Sequence, residues 1–253
     1  MRFRATAAAS LGALALTGLA VPAAHADGGY GDTRITKVVV DGDNKVQVST
    51  SGAKTITVSV TATDDSGIAG ADPFDLFGPG YGLLTTGKPV CKAINATTST
   101  CTASVKVDPK VDFFANGNAG VWYVDAWVDA KDEDFVWKEK SGSFWFQRAA
   151  KLAATDATPE PVKKGKTLTV KSNLSRANWE NLKFGGYAGA SVQLQYQKKG
   201  AKTWTTLKTV KADSKGNLST TVKATADGSY RYNFPGNSTT AAVASGADFV
   251  DVK

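Results

Sequence analysis

Gly120-Val121-Trp122-Tyr123-Val124-Asp125-Ala126-Trp127-Val128-Asp129-Ala130 runs into Lys131-Asp132-Glu133-Asp134 and returns through Phe135-Val136-Trp137 and, past Ser141-Gly142, through Phe144-Trp145-Phe146. In the first arm Trp122, Val124, Ala126, Val128 and Ala130 fall on one face, and Val121, Tyr123, Asp125, Trp127 and Asp129 fall on the other. A period of two is the signature of a strand. Aromatic and β-branched residues dominate both arms, as a pleated, half-buried surface favours. The stretch predicts a central β-hairpin closed by an acidic turn.

The same grammar extends upstream. Residues 34–40, 45–50 and 54–63 read as strands, with Asp41-Gly42-Asp43-Asn44 as a turn between the first two. Asp64-Asp65-Ser66-Gly67 follows, then a looser segment to Pro89 punctuated by Pro73, Gly78-Pro79-Gly80 and Gly82. Residues 90–93 and 100–107 form two arms about a short loop. Seven or so short strands with polar turns predict a β-sandwich.

Downstream, the aromatics stop over 149–166, where Thr158-Pro159-Glu160-Pro161 is rich in turn residues. A second set of strands is expected at 167–170, 191–197, 203–210, 218–223, 229–234 and 248–252. Val192, Leu194 and Tyr196 alternate with Gln193, Gln195 and Gln197, so one face is buried and the other is wet. Only 176–183 looks able to form a helical turn.

Met1 to Ala26 has basic residues at Arg2 and Arg4, an apolar Ala/Leu run, and Ala24-His25-Ala26 before Asp27, the pattern of a cleaved secretory signal peptide. The apolar run is short for a membrane span, no cysteine follows the cleavage site to take a lipid, and the C-terminus lacks an apolar anchor. A secreted, extracellular chain is expected. Its only cysteines, Cys91 and Cys101, are expected to form a disulfide. The only histidine, His25, leaves with the signal peptide. Histidine-dependent nucleophilic sites, general bases and zinc, copper or iron centres are thereby excluded from the mature chain.

The halves echo one another: Gly120-Val121-Trp122-Tyr123-Val124 and Gly228-Ser229-Tyr230-Arg231-Tyr232 share a glycine, an aromatic two residues on and a large core residue two further. In an immunoglobulin-like sandwich the sixth strand opens this way. The second half, from Thr158-Pro159-Glu160-Pro161-Val162-Lys163-Lys164-Gly165-Lys166 through Leu174-Ser175-Arg176-Ala177-Asn178-Trp179 and Gly185-Gly186-Tyr187-Ala188-Gly189 to Asp251-Val252-Lys253, resembles a module of uncharacterised proteins secreted by Streptomyces-type actinobacteria. The segment from Cys91 to Cys101 resembles their first domain. The resemblance implies an exported protein with tandem immunoglobulin-like domains; the family carries no established activity, and some members are labelled calcium-binding. The expected organisation is all-β: a signal peptide over 1–26, an immunoglobulin-like β-sandwich over 27–150 containing the Cys91–Cys101 disulfide, and a basic immunoglobulin-like β-sandwich over 151–253.

Charge divides the halves. Residues 27–150 hold 12 Lys and Arg against 16 Asp and Glu, whereas 151–253 hold 16 against 7. A basic domain outside a cell suits docking on an anionic cell-surface polymer or on another secreted protein; no aromatic-basic nucleic-acid motif is present. In the acidic half, Asp64, Asp65, Asp129, Asp132 and Asp134 are candidate calcium ligands, because calcium takes six to eight hard oxygens. No D-x-[DN]-x-[DN]-G loop supports them, and acidic turns are commonly just solvated. Trp179, Phe184 and Tyr187, with Arg176 and Lys183, form a candidate binding set on the long loop of the second half, where exposed rings could anchor a partner. Trp127, Tyr123, Trp137 and Trp145 are a weaker set on the hairpin.

No enzyme is expected. Asp125 and Asp129 share a strand face about 13 Å apart, too far for either glycosidase geometry. The reading is a secreted, non-enzymatic binding or structural module, with a calcium-binding version as the alternative and an extracellular carboxylate hydrolase, or an inhibitor of one, as a distant one.

Overall fold

A computed structural model of the protein describes residues 27–112 and 114–253. The expected signal peptide, 1–26, lies outside the described residues. Among the described residues, eleven strands make up the first half: β1 (Gly28–Tyr30), β2 (Arg34–Val40), β3 (Lys45–Val48), β4 (Lys54–Thr63), β5 (Ile68–Ala71), β6 (Asp75–Gly78), β7 (Gly82–Thr85), β8 (Val90–Ala93), β9 (Thr98–Val107), β10 (Gly120–Ala130) and β11 (Phe135–Arg148). Ten follow: β12 (Ala150–Leu152), β13 (Asp156–Thr158), β14 (Thr167–Asn178), β15 (Lys183–Gly186), β16 (Ser191–Lys198), β17 (Thr205–Lys211), β18 (Asn217–Lys223), β19 (Gly228–Phe234), β20 (Val243–Ala244) and β21 (Asp248–Val250).

The central hairpin is β10 and β11, paired from Gly120 with Phe146 to Asp129 with Phe135. Ser141-Gly142 does not interrupt the return arm: Gly142 pairs with Val124, and a register shift between Val124 and Ala126 absorbs the irregularity. A side chain at 142 would come within 2.6 Å of Val38 on the facing sheet, so glycine lets the two sheets close there.

In the first half one sheet runs β2-β4-β9-β8, and the other joins β11, β10, β6 and β7, with β3 parallel on β11. These orders reproduce the two sheets of the immunoglobulin fold, with an added edge strand beside the third. Alternation supplies the core: Ile56, Val58 and Val60 from β4 face Trp122, Val124, Phe144 and Phe146 from the hairpin. The Trp122 indole donates to the Asn118 carbonyl four residues upstream at 2.7 Å, tying the strand to its own entry corner. The segment over 68–89, expected to be loose, contains β5, β6 and β7. Each is four residues long, too short for periodicity to register.

The second half has the same plan. β14 pairs with β12, β13, β15 and β18, and the facing sheet runs β17-β16-β19, with β20 and β21 beyond β19. Its core holds Leu168, Val170, Leu174, Leu194, Leu218, Tyr230 and Tyr232. The Tyr232 hydroxyl crosses between sheets to donate to the Val170 carbonyl at 2.9 Å. The helical turn expected over 176–183 is absent. β14 continues through Asn178, whose side-chain oxygen accepts from the N–H groups of Glu180 and Asn181 and so closes a tight turn into β15.

One residue separates the halves. Ala149, between β11 and β12, donates its N–H to Val48 at 2.9 Å and accepts from Ala177 at 2.7 Å, so it is stitched to both sides. Cys91 and Cys101 are bonded and lie directly opposite one another on β8 and β9, within one sheet.

Candidate functional site

Three segments meet at one end of the first sandwich: the entry to β2, the turn between β4 and β5, and the turn of the central hairpin. They carry Asp32, Asp64 with Asp65, and Asp132 with Asp134. One carboxylate oxygen each from Asp32, Asp64 and Asp134 lies within 4.8 Å of the other two, and the same holds for Asp64, Asp65 and Asp132. Asp64 belongs to both groups. Ligands on opposite sides of a calcium ion stand about 4.8 Å apart, twice the usual bond length. Each group of three is therefore of a size that could hold one hard cation.

Asp64 is 2% exposed. Burial pushes its carboxyl up, but the side chains of Ser66 and Thr33 and the Ser66 N–H outweigh that and hold it below its ordinary value. The contacts are 2.6 Å from Ser66 Oγ, 2.7 Å from Thr33 Oγ1 and 2.8 Å from Ser66 N. Donors of this kind fix a carboxylate as an ion. Asp32 behaves oppositely: partial desolvation, then the charges of Asp65 and Asp64, push its carboxyl up. Its own N–H donates to Asp134 Oδ2 at 3.0 Å. Gly31, at φ +76, seats Asp134 so closely that a side chain there would overlap the carboxylate. None of these five carboxylates takes part in an ion pair among the described residues.

Of the candidate metal ligands, Asp64, Asp65, Asp132 and Asp134 are brought together. Asp129 is not. It sits below the turn, where its carboxylate accepts from Trp127 Nε1 at 2.8 Å. Asp32 carries no signal of its own in the sequence, because a lone aspartate after Gly31 resembles any turn; only the folded entry to β2 brings it to the hairpin.

The aromatic set of the second half also divides. Trp179 is not a loop residue open to a partner. It is 2% exposed and packs inside the first sandwich, with its ring centroid 5.4 Å from Phe146 and 5.8 Å from Phe114. Phe184 is half-buried beneath Lys151, whose ammonium lies 3.9 Å from the ring centroid. Arg176 stacks on Tyr187 at 3.9 Å and donates to Thr240 Oγ1. Lys183 is exposed at the turn. Beside them Arg148 is buried; burial first, then the neighbouring Arg176 charge, lowers its guanidinium to about 10. This group is a junction between sandwiches, and only its rim faces solvent.

The strand orders define a tandem immunoglobulin-like protein. No protein family matches the sequence, and no curated protein is similar to it. Among solved structures, the chain is similar to three N-terminal domains of the bacteriophage RB49 highly immunogenic outer capsid protein, at 12% identity, with 87% of this chain and 70% of that one covered and a TM-score of 0.29. It is also similar to the D00-D0 domain of intimin (11% identity, 85% and 99% covered, TM-score 0.28) and to the human OSCAR ligand-binding domain (13%, 85% and 94%, 0.23). No helix among the described residues is long and apolar enough to cross a membrane.

Proposed function

We propose that this chain is a secreted, non-enzymatic binding module in which the first sandwich braces the second, and the second docks on an anionic partner at a cell surface. The observation that carries the reading is the charge division over a braced junction. The acidic half takes Trp179 into its core, and the other half presents 16 Lys and Arg against 7 Asp and Glu. Opposite charge at long range concentrates such a partner and weakens with salt. The test is retention of the mature chain on immobilised teichoic acid, a phosphodiester polyanion. Retention that falls with added salt supports the reading; passage unretarded at low salt removes the anionic partner from it.

A second reading is calcium binding at the acidic end of the first sandwich. Two overlapping triads of carboxylates drawn from three segments, sharing an Asp64 held ionised by its donors, favour it. Asp64 would hold the ion either with Asp32 and Asp134 or with Asp65 and Asp132, and in the first arrangement the ion would offset the neighbouring charges that help raise Asp32. Calorimetric titration with calcium, compared with an Asp64→Asn, Asp132→Asn variant, decides it.

A further inference from the structure

Among the described residues, the second sandwich has no counterpart to β8. In the first, β9 has β4 on one side and β8 on the other, and the Cys91–Cys101 bond staples β8 to that edge. In the second, the chain passes from β17 to β18 through residues 212–216, and among the described residues no strand lies on the corresponding edge. Among the described residues β18 pairs with β14 alone, and β17 with β16 alone. The flank between them is a cleft of about 520 Å³, lined by Tyr196, Leu207, Lys208, Val222, Lys223 and Tyr230 among others.

One side chain spans this flank. Lys208 lies opposite Leu194 in the ladder, and Leu194 is buried between the sheets, so the lysine starts from the inner face of β17. Its ammonium donates to the Thr221 carbonyl on β18 at 2.7 Å and to Thr220 Oγ1 at 3.3 Å. The Thr221 carbonyl is thus turned away from β14. In an antiparallel ladder a residue turns both its main-chain groups the same way, and every second residue follows. Ser219, Thr221 and Lys223 therefore present N–H and C=O to the open flank. The Lys208 ammonium stands where the N–H of a neighbouring strand would stand.

We propose that this flank is a strand-acceptor site for an extended, acidic segment of a partner protein, which pairs with β18 and lays alternate apolar side chains into the cleft. Main-chain pairing supplies affinity in such a mode, and side-chain pockets supply selectivity. An incoming N–H takes over the Thr221 carbonyl and releases Lys208, whose charge then needs a carboxylate. Lys223 on the same rim asks for another. An inward-pointing charge on an edge also bars adventitious pairing, so a neutral or basic strand leaves Lys208 uncompensated while an acidic one does not. The proposal rests on the binding-module reading and gives it a place.

The probe is a synthetic octapeptide alternating valine with glutamate, titrated into the mature chain beside counterparts with lysine for glutamate and with a central proline. The acidic peptide is expected to bind one to one, with amide exchange slowed at Ser219, Thr221 and Lys223. Its affinity should fall severalfold as salt rises from about 50 to 300 mM, and the counterparts should bind roughly tenfold more weakly or not at all. Lys208→Glu, at an exposed position that leaves the core intact, should invert the preference toward the lysine peptide. No binding, equal binding of all three peptides, or unchanged exchange at those amides overturns the proposal. Retention on teichoic acid is measured in parallel. Retention without peptide binding removes the strand site alone, and loss of both removes the binding-module reading with it.

Discussion

The indole nitrogen of Trp179 donates to the main-chain carbonyl of Val48 at 3.3 Å, joining residues 131 positions apart in the sequence. The bond marks where a side chain from the second half completes the core of the first, against Phe114 and Phe146. Trp179→Ala should cost about 3–5 kcal/mol, the usual range for emptying a buried aromatic site. Urea denaturation followed by tryptophan fluorescence should show one transition in the parent and two in the variant. A single unshifted transition would mean that the ring is not a brace.

Removing the disulfide should be a local injury. Cys91 and Cys101 enclose only Lys92 to Thr100, and chain entropy for so short a loop sets the contribution near 3 kcal/mol at most. Because β8 is four residues long and at an edge, a Cys91→Ala, Cys101→Ala variant should lose protection from amide exchange at β8 first. The β4–β9 ladder, paired over ten positions, should stay protected. Exchange lost across both sheets would contradict this.

If calcium binds the native state alone, it stabilises by mass action, about 2.7 kcal/mol at a hundred times its dissociation constant. The midpoint of thermal unfolding should then rise in millimolar calcium relative to chelator. Gly31→Ala, which intrudes on Asp134, should abolish that rise. The Asp64 carboxyl is held below 3.8 in the folded chain, so its stabilising contribution is present above that value and lost as pH falls through the lowered one. Asp32 is raised, so without a cation its ionisation opposes folding above 3.8. Calcium should therefore stabilise strongly at pH 7 and hardly at all near pH 3. A calcium effect independent of pH would place the ion elsewhere.

Burial pushes the Tyr232 hydroxyl up to about 12 from 10. A raised tyrosine pKa leaves stability untouched below pH 10, and stability falls between 10 and 12 as the unfolded phenol ionises first. Tyr232→Phe should flatten that decline and cost about 1–2 kcal/mol at pH 7, since the Val170 carbonyl loses its donor. Denaturation midpoints at pH 7, 10 and 11.5 check both statements.

Local pattern carried much of this structure. The hairpin of β10 and β11 was legible because Trp122, Val124, Ala126 and Val128 alternate strictly, and the acidic turns were legible as turns. That four of five candidate carboxylates meet follows from both turns closing the same end of one sandwich. What could not be read was whatever depends on distant partners. Trp179 looks like a loop aromatic because its neighbours Asn178, Glu180 and Asn181 are polar, and its apolar surroundings come from Val48, Phe114 and Phe146. Asp129 follows the pattern of its acidic neighbours, yet its carboxylate is taken by Trp127. The open flank of the second sandwich was hidden for a related reason: periodicity reports the strands that are present and cannot announce one that is missing.

The stitching of Ala149 to Val48 on one side and Ala177 on the other bears on how this protein can be handled and inherited. Among the described residues the halves are joined by Ala149 alone, which leaves no linker between them for a protease to nick or for a gene fusion to exploit. A cut at the boundary would leave one fragment with a raw aromatic socket and the other with a bare tryptophan, and both would be prone to clump. Excision and reshuffling must therefore act on the pair, so the transferable unit is the two sandwiches together.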